Sequence, residues 1–149
     1  MSASRRDLLW RGMDQLDREL ERCTEASCGD RPQVARPAGA PPPPPDRNEI
    51  GQAGWHFLHT LAARHPAAPS DEERLVSKAW MWAFTRLYPC HICRLGFEKI
   101  LKDSQPRTES RDSYAMWMCE VHNAVNEDIG APTRPCVLEE LLKMGITST

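Results

Sequence analysis

Residues 70–93, SDEERLVSKAWMWAFTRLYPCHIC, read as one helix, a break, and the start of a second helix. Ser70 stands at an N-cap position and Glu73, three residues later, completes a capping box that satisfies orphan N–H groups of the first turn. Leu75, Val76, Ala79, Trp80, Ala83, Phe84 and Leu87 then recur at helical spacing. Pro89 ends the run, because it has no N–H to donate, and it suits the first turn of a following helix. Cys90 and Cys93 therefore fall near a helix N-terminus, where backbone N–H groups favour a thiolate. Two thiols separated by two residues close an easily exchanged disulfide, which points to redox chemistry rather than scaffolding.

The pattern stays helical on both sides of this stretch. Ile50, Trp55, Leu58, Leu61 and Ala62 make an apolar stripe along 50–64, and further helices are expected over 95–101, over 113–129 and, short, after Cys136 through Met144. No alternating strand pattern of useful length occurs, so the expected fold is all-α, a four-helix bundle plus a short fifth helix. A thioredoxin fold is excluded on the same ground, since it needs βαβ units around its C-x-x-C.

Composition shifts sharply between Gly29 and Arg47, where Pro32, Pro37 and the run Pro41 to Pro45 exclude regular hydrogen bonding. Residues 29–47 read as a linker, roughly 60 Å long if extended at ~3.1 Å per residue. It divides a core domain, residues 48–149, from an N-terminal tail, residues 1–28. In the tail Leu8, Leu9, Met13, Leu16 and Leu20 lie at helical spacing, followed by Cys23 and Cys28. The 149 residues suit one modest domain plus tails. A net charge of −2 gives no electrostatic footprint for nucleic acid. No run reaches the roughly 18 apolar residues of a membrane span. The start lacks the apolar centre of a secretory signal, and Asp7, Asp14, Asp17, Glu19 and Glu21 fit a transit peptide poorly. An even count of six cysteines favours an oxidising compartment, with reduced cytosolic thiols as the alternative.

On the helix over 113–129, Tyr114, Trp117, Val121 and Val125 can cover one side while Cys119, His122, Asn123 and Asn126 share another. A solvated face more often carries Glu, Lys and Arg; His and two Asn supply directional donors and acceptors suited to a planar heteroaromatic ligand. An ordinary wet helix face remains the plainer reading. Trp55 and His59, at i and i+4, repeat the theme, although aromatic residues at helical spacing are usually core.

These segments together resemble the Erv/ALR family of FAD-dependent sulfhydryl oxidases. The resemblance rests on Gly51-Gln52-Ala53-Gly54-Trp55-His56-Phe57-Leu58-His59, on Tyr88-Pro89-Cys90-His91-Ile92-Cys93, on Cys119-Glu120-Val121-His122-Asn123-Ala124-Val125-Asn126, and on Cys136 with sixteen residues between it and Cys119. Each piece is weak alone, and four in this order are specific. The resemblance implies a helical bundle holding FAD, usually as a homodimer, with Cys93 nearest the flavin and Cys90 facing incoming electrons. It implies that Arg47, Gly51, Gln52, Trp55, His59, Cys119, His122, Asn123, Val125 and Asn126 contact FAD, with Arg47 toward the phosphates. It also implies a structural disulfide between Cys119 and Cys136 that tethers the short last helix, worth roughly 3 kcal/mol in the chain-entropy model. Electrons would pass to oxygen, giving hydrogen peroxide, or to cytochrome c.

The sequence departs from the family pattern where phosphates are expected: Gln52 replaces an Arg, and Asp128 and Ala131 replace residues that are commonly Lys. Weak FAD retention is the expected consequence, with Lys143 or Arg134 as candidates to compensate. Cys23 and Cys28 resemble the shuttle pairs that some relatives carry on a tail, and a tethered pair reaches an effective concentration near the millimolar scale. A static cross-link or an intersubunit bridge is the alternative for this pair. Relatives without a presequence place the protein in the mitochondrial intermembrane space, accepting electrons from the import oxidoreductase, with endoplasmic reticulum or cytosol as alternatives. The rival function is a zinc-binding helical adaptor using Cys90, Cys93 and some of His91, His122 or Cys119. A disulfide-stapled helical protein without catalysis is a third.

Overall fold

The computed structural model describes residues 37–145. The tail with Cys23 and Cys28, and the first part of the proline-rich linker, lie outside the described residues. From Pro37 to Pro45 the chain forms neither helix nor strand and is almost wholly exposed.

Five helices follow, and no strand occurs among the described residues: α1 Arg47–Ala63, α2 Asp71–Leu87, α3 His91–Asp103, α4 Arg111–Asp128 and α5 Leu138–Leu142. Helix α1 begins three residues before the expected Ile50, so Arg47 belongs to the helix and the linker ends at Asp46. The physical reason is a second capping box. Asp46 accepts from Glu49 N at 2.8 Å while the Glu49 side chain accepts from Asp46 N at 2.8 Å. The same device starts α2 at Ser70 and Glu73, as the sequence indicates.

Helix α3 begins at His91, close to the helix start expected at Pro89 and four residues before the run expected over 95–101. Cys90 is its N-cap, with Sγ accepting from Cys93 N at 3.3 Å, and Pro89 stands just outside the helix instead of in its first turn. A sulfur thus does the work of a capping oxygen. At the other end of α4, Gly130 adopts φ +70°, the left-handed turn glycine permits after a helix, and sends the chain back along α4 toward Cys136.

Helix α4 is the centre of the bundle, packing on α1, α3 and α5, while α2 packs on α3. Tyr114, Trp117 and Val121, expected on one face, are buried in a cluster with Leu58 and Ala62 of α1, Met81 of α2, Leu101 of α3 and Met118. Trp117 Nε1 reaches Ser104 O at 3.2 Å and Ser104 Oγ at 3.1 Å, so its polar atom is satisfied inside the core. The Tyr114 hydroxyl has no hydrogen-bond partner among the described residues, and burial holds that phenol strongly toward its neutral form. A second cluster seats α5: Ala115, Cys119 and Leu141 are buried, with Leu138 and Leu142 against them. The Cys119–Cys136 disulfide, with Cα atoms 5.8 Å apart, tethers this short helix to α4.

The face of α2 is less simple than its spacing suggests. Leu75, Val76 and Leu87 are 68%, 59% and 62% exposed, whereas Met81 and Thr85 on the opposite side are buried. Met81→Ala leaves a cavity where the side chain has no solvent exposure, and should cost about 2–5 kcal/mol in unfolding free energy. Urea denaturation with an unchanged m-value is the check.

Candidate functional site

The site lies where the first turns of α1 and α3 meet the last turns of α2 and α4. A cavity of about 730 Å³ opens there, within the usual range for small-molecule and cofactor sites. Aromatic rings of Trp55, Phe84, Tyr88, Phe97 and His122 line it, together with Cys93, Asn126 and the basic residues Arg47 and Arg94. Capping decides much of this placement. The Asp46 box brings Arg47 and Asn48 onto a regular turn above Gly51 and Trp55, and the Cys90 cap turns Cys93 into the cavity wall.

The two halves of the disulfide differ in environment. Cys90 and Cys93 are bonded, with Cα atoms 5.2 Å apart. Cys93 lines the cavity and Cys90 does not; Cys90 is 7% exposed, on the side of the α2–α3 turn. Exposed Leu87, Ile92 and Leu95 flank this turn in sequence.

On the opposite wall, α1 and α4 meet through rings. Trp55 and His122 stack at 3.9 Å between centroids with planes 10° apart, and Phe97 meets Trp55 edge-on at 5.9 Å. His59 Nε2 and His122 Nδ1 are 2.9 Å apart, so one donates and the other accepts through a ring nitrogen that carries no proton. Burial is the main reason that His59 is shifted down to about 4, with the positive ends of His122, Arg134 and His56 adding to it. Burial and Arg134 lower His122 as well. The pair presents a neutral hydrogen-bonding wall at physiological pH.

The polar stripe of α4 divides its work. Asn126 lies on the cavity, and its Nδ2 also donates to Pro132 O at 3.3 Å. Asn123 is turned to the returning loop: its Nδ2 donates to Arg134 O at 2.7 Å and its Oδ1 accepts from Arg134 N at 3.0 Å. With the disulfide one turn earlier, Asn123 fastens the 129–136 segment along α4. Of the residues expected to contact a cofactor, Arg47, Gly51, Gln52, Trp55, His122, Val125 and Asn126 stand on the cavity wall. His59, Cys119 and Asn123 stand behind it. Sequence reading missed Asn48, Tyr88, Arg94 and Phe97 as lining residues. The spacing of α3 would have shown Phe97 on the same face as Cys93, had that helix been begun at His91.

The positive charge is also arranged differently from expectation. Lys143 pairs with Glu139 at 2.8 Å on the exposed side of α5. Arg47, Arg94 and Asp128 all line the cavity. A flat heteroaromatic ligand carrying an anionic group fits this donor set: rings to cover its faces, amide and imidazole groups for its edges, and guanidinium groups for its charge. Zinc ligation by the same cysteines would need thiolates, and all four described cysteines are held in disulfides. No cluster of three or more metal-ligating side chains occurs among the described residues.

A model of the Erv1 / Alr family matches residues 52–144. The chain belongs to this family. It is similar to the mitochondrial FAD-linked sulfhydryl oxidase ERV1 of Saccharomyces cerevisiae, 39% identical over 93 residues that cover 62% of this chain and 49% of the relative. The FAD-linked sulfhydryl oxidase ERV1 of Arabidopsis thaliana is 37% identical over 93 residues, covering the same shares of each. The chain thus spans about half the length of these curated relatives. Among solved structures, the yeast Erv1 core is similar with a TM-score of 0.67 at 34% identity, covering 77% of this chain and 98% of that one. The FAD binding domain of Erv1 from Saccharomyces cerevisiae gives 0.64 at 36% identity, covering 68% and 98%. The five-helix arrangement is therefore the Erv1/Alr fold, and its matched region holds both described disulfides and nearly all of the cavity.

The histidine pair sets a pH signature. His59 has a lower pKa folded than unfolded, so the unfolded chain binds the proton first. Its effect is absent above pH ~6.5, and stability falls as pH drops from there toward about 4, where the folded protein also takes the proton. The unfolding free energy measured across this window should fall in the wild type and fall less in His59→Gln.

Proposed function

We propose that this chain is an FAD-dependent thiol oxidase that forms disulfides in protein substrates. The observation that carries the reading is the position of Cys93: one sulfur of an exchangeable disulfide, on the wall of an aromatic, arginine-bearing cavity, in a chain of the Erv1/Alr family. The relatives' names, FAD-linked sulfhydryl oxidase, agree with it.

Trp55, His122, Val125 and Asn126 would hold the flavin, with His59 bracing His122, and Arg47 with Gln52 would meet its phosphates. When bound, the flavin supplies a two-electron acceptor for a dithiol. The protein's part is thiol exchange and positioning. A substrate thiolate attacks Cys90 Sγ, the Cys90–Cys93 bond breaks, and its electron pair stays on Cys93 as a thiolate at the first turn of α3. A second substrate thiolate then attacks the substrate sulfur, releasing Cys90 and completing the substrate disulfide. Cys93 stands on the cavity wall, where a bound flavin would cover it. Cys90 stands off the cavity at the α2–α3 turn and is buried, so a substrate thiolate would approach by that turn and has to open it to reach Sγ.

Cys23 and Cys28 act as a shuttle dithiol, taking electrons from a protein substrate and handing them to Cys90, and the 19-residue linker supplies the reach. The final acceptor is oxygen, giving hydrogen peroxide, or cytochrome c. The location is mitochondrial, in the intermembrane space, where the import oxidoreductase is the donor. A homodimer forms through the apolar side of α1 and α2, where Phe57, Leu75 and Val76 are more than half exposed, as expected for a face that a second copy covers.

The test is an absorbance spectrum of the purified protein. Bands near roughly 375 and 450 nm should bleach on anaerobic addition of dithiothreitol and return in air, and Cys93→Ser should abolish the bleaching. A featureless spectrum unchanged by added FAD would overturn the oxidase reading. Replacing Cys23 and Cys28 by Ser should spare dithiothreitol oxidation and slow a protein dithiol by at least about tenfold. Equal loss on both substrates would rule out the relay.

A further inference from the structure

Tyr88, Pro89 and Cys90 connect α2 to α3, and they alternate in burial: Tyr88 is half-buried, Pro89 exposed and Cys90 buried. The backbone is extended at both ends of this connection, with φ −61° and ψ 132° at Tyr88 and φ −109° and ψ 111° at Cys90. The Pro89 ring fixes φ between them. With Pro89 turned outward, the Tyr88 and Cys90 side chains lie toward the same inner side. The Tyr88 ring reaches across to α1, where Gly51 and Gly54 are neighbours on one helix face. Its Cε2 is 3.7 Å from the point a Cβ on Gly54 would occupy, and its hydroxyl is 3.9 Å from the same point on Gly51. Phe84 meets the ring at 5.6 Å between centroids, and Trp80 stacks on Phe84 at 5.2 Å, so a column of rings along α2 backs this contact. Arg94 Nη1 donates to Arg86 O at 3.1 Å and Arg86 pairs with Glu98 at 2.9 Å. The end of α2 and the start of α3 are thus fastened to each other, and the connection moves with them as a unit.

We infer that Tyr88 is a specificity-determining positioning residue: its ring, seated against Gly51 and Gly54 of α1, holds the α2–α3 turn closed over Cys90 and so sets how bulky a thiol can attack it. The inference rests on the thiol-oxidase reading for the identity of the attacking group, a substrate thiolate. In the step, the bond from the thiolate sulfur to Cys90 Sγ forms as the Cys90–Cys93 bond breaks, and the electron pair goes to Cys93 Sγ. The rate of such exchange depends on access as well as on the thiols themselves. Cys90 is only 7% exposed, so attack requires the turn to lift, and lifting it draws the Tyr88 ring from its seat. A small thiol needs a small opening; a large one needs the ring fully displaced. The contact is made by the faces and edge of the ring, so the work belongs to the ring and not to the hydroxyl.

The test reads the disulfide itself, apart from oxidase activity. The full chain, with Cys23 and Cys28 replaced by Ser so that the tail cannot relay, is exposed anaerobically to an excess of 2-mercaptoethanol or of glutathione. Samples are quenched in acid and alkylated, and loss of the Cys90–Cys93 disulfide is followed by peptide mass spectrometry. The quantity compared is the ratio of the glutathione rate to the 2-mercaptoethanol rate. Tyr88→Ala should raise this ratio about tenfold, the upper weight of one aromatic contact. Tyr88→Phe, which keeps the ring, should restore the original ratio. Gly54→Val, whose added methyl groups push the ring from its seat, should fall between the original and Tyr88→Ala. An unchanged ratio in Tyr88→Ala, with only its thermal midpoint lowered or with both thiols accelerated equally, would leave Tyr88 as a wall residue and overturn the inference. If Tyr88→Ala does not fold, an unchanged ratio in Gly54→Val overturns it equally. A raised ratio in a protein that shows no flavin bleaching would remove the oxidase reading and leave this one standing.

Discussion

Leu58 and Ala62 of α1 share one buried cluster with Tyr114, Trp117 and Val121 of α4, and this apolar contact sets the distance between the two helices. Once that distance is fixed, Trp55 lies one turn before Leu58 and His122 one residue past Val121. Their rings stack, and His59 comes within hydrogen-bond reach of His122. The wall of the cavity is thus an extension of the core by one turn at its edge. A helix has limited circumference, and α4 divides it three ways: an apolar side to the bundle, a ring and amide edge to the cavity, and Cys119 with Asn123 to the returning loop.

The redox pair depends on a different constraint, the junction between α2 and α3. Helix α2 ends at Leu87 and α3 begins at His91, leaving only Tyr88, Pro89 and Cys90 between them. Within so short a connection Cys90 has to be the N-cap, and its bonded partner at the third helical position must then face inward. Arg94 and the Arg86–Glu98 pair brace this junction from beneath. The two sulfurs of this single disulfide have different surroundings, since Cys93 stands on the cavity wall and Cys90 stands off it.

The helical class, the capped start of α2, the inward side of α4 and the redox character of Cys90 and Cys93 were legible in the chain, because each rests on local spacing. The start of α1 was missed although Asp46 and Glu49 spell a capping box, since the proline run before them drew attention from the cap and set the helix start three residues too late. Pro89 signalled the start of α3 to within two residues, but the cap itself was missed because a cysteine cap has no ordinary sequence signal. The outward side of α2 was misleading: Leu75, Val76 and Leu87 have core spacing, yet the bundle buries Met81 and Thr85 instead.

Sequence alone determined which residues carry chemistry, because C-x-x-C spacing, helical periodicity and the His-Asn stripe are properties of consecutive residues along one helix. Tertiary structure alone decided how those residues share the work. Asn123 and Asn126 look equivalent in sequence, and only the path of the 129–136 loop gives one to the backbone of Arg134 and the other to the cavity. Arg94 looks like any surface arginine, and only the meeting of the end of α2 with the start of α3 buries it against Arg86 O and His91. Those contacts span helices, and their distances follow from how the helices pack, which no local pattern of residues specifies.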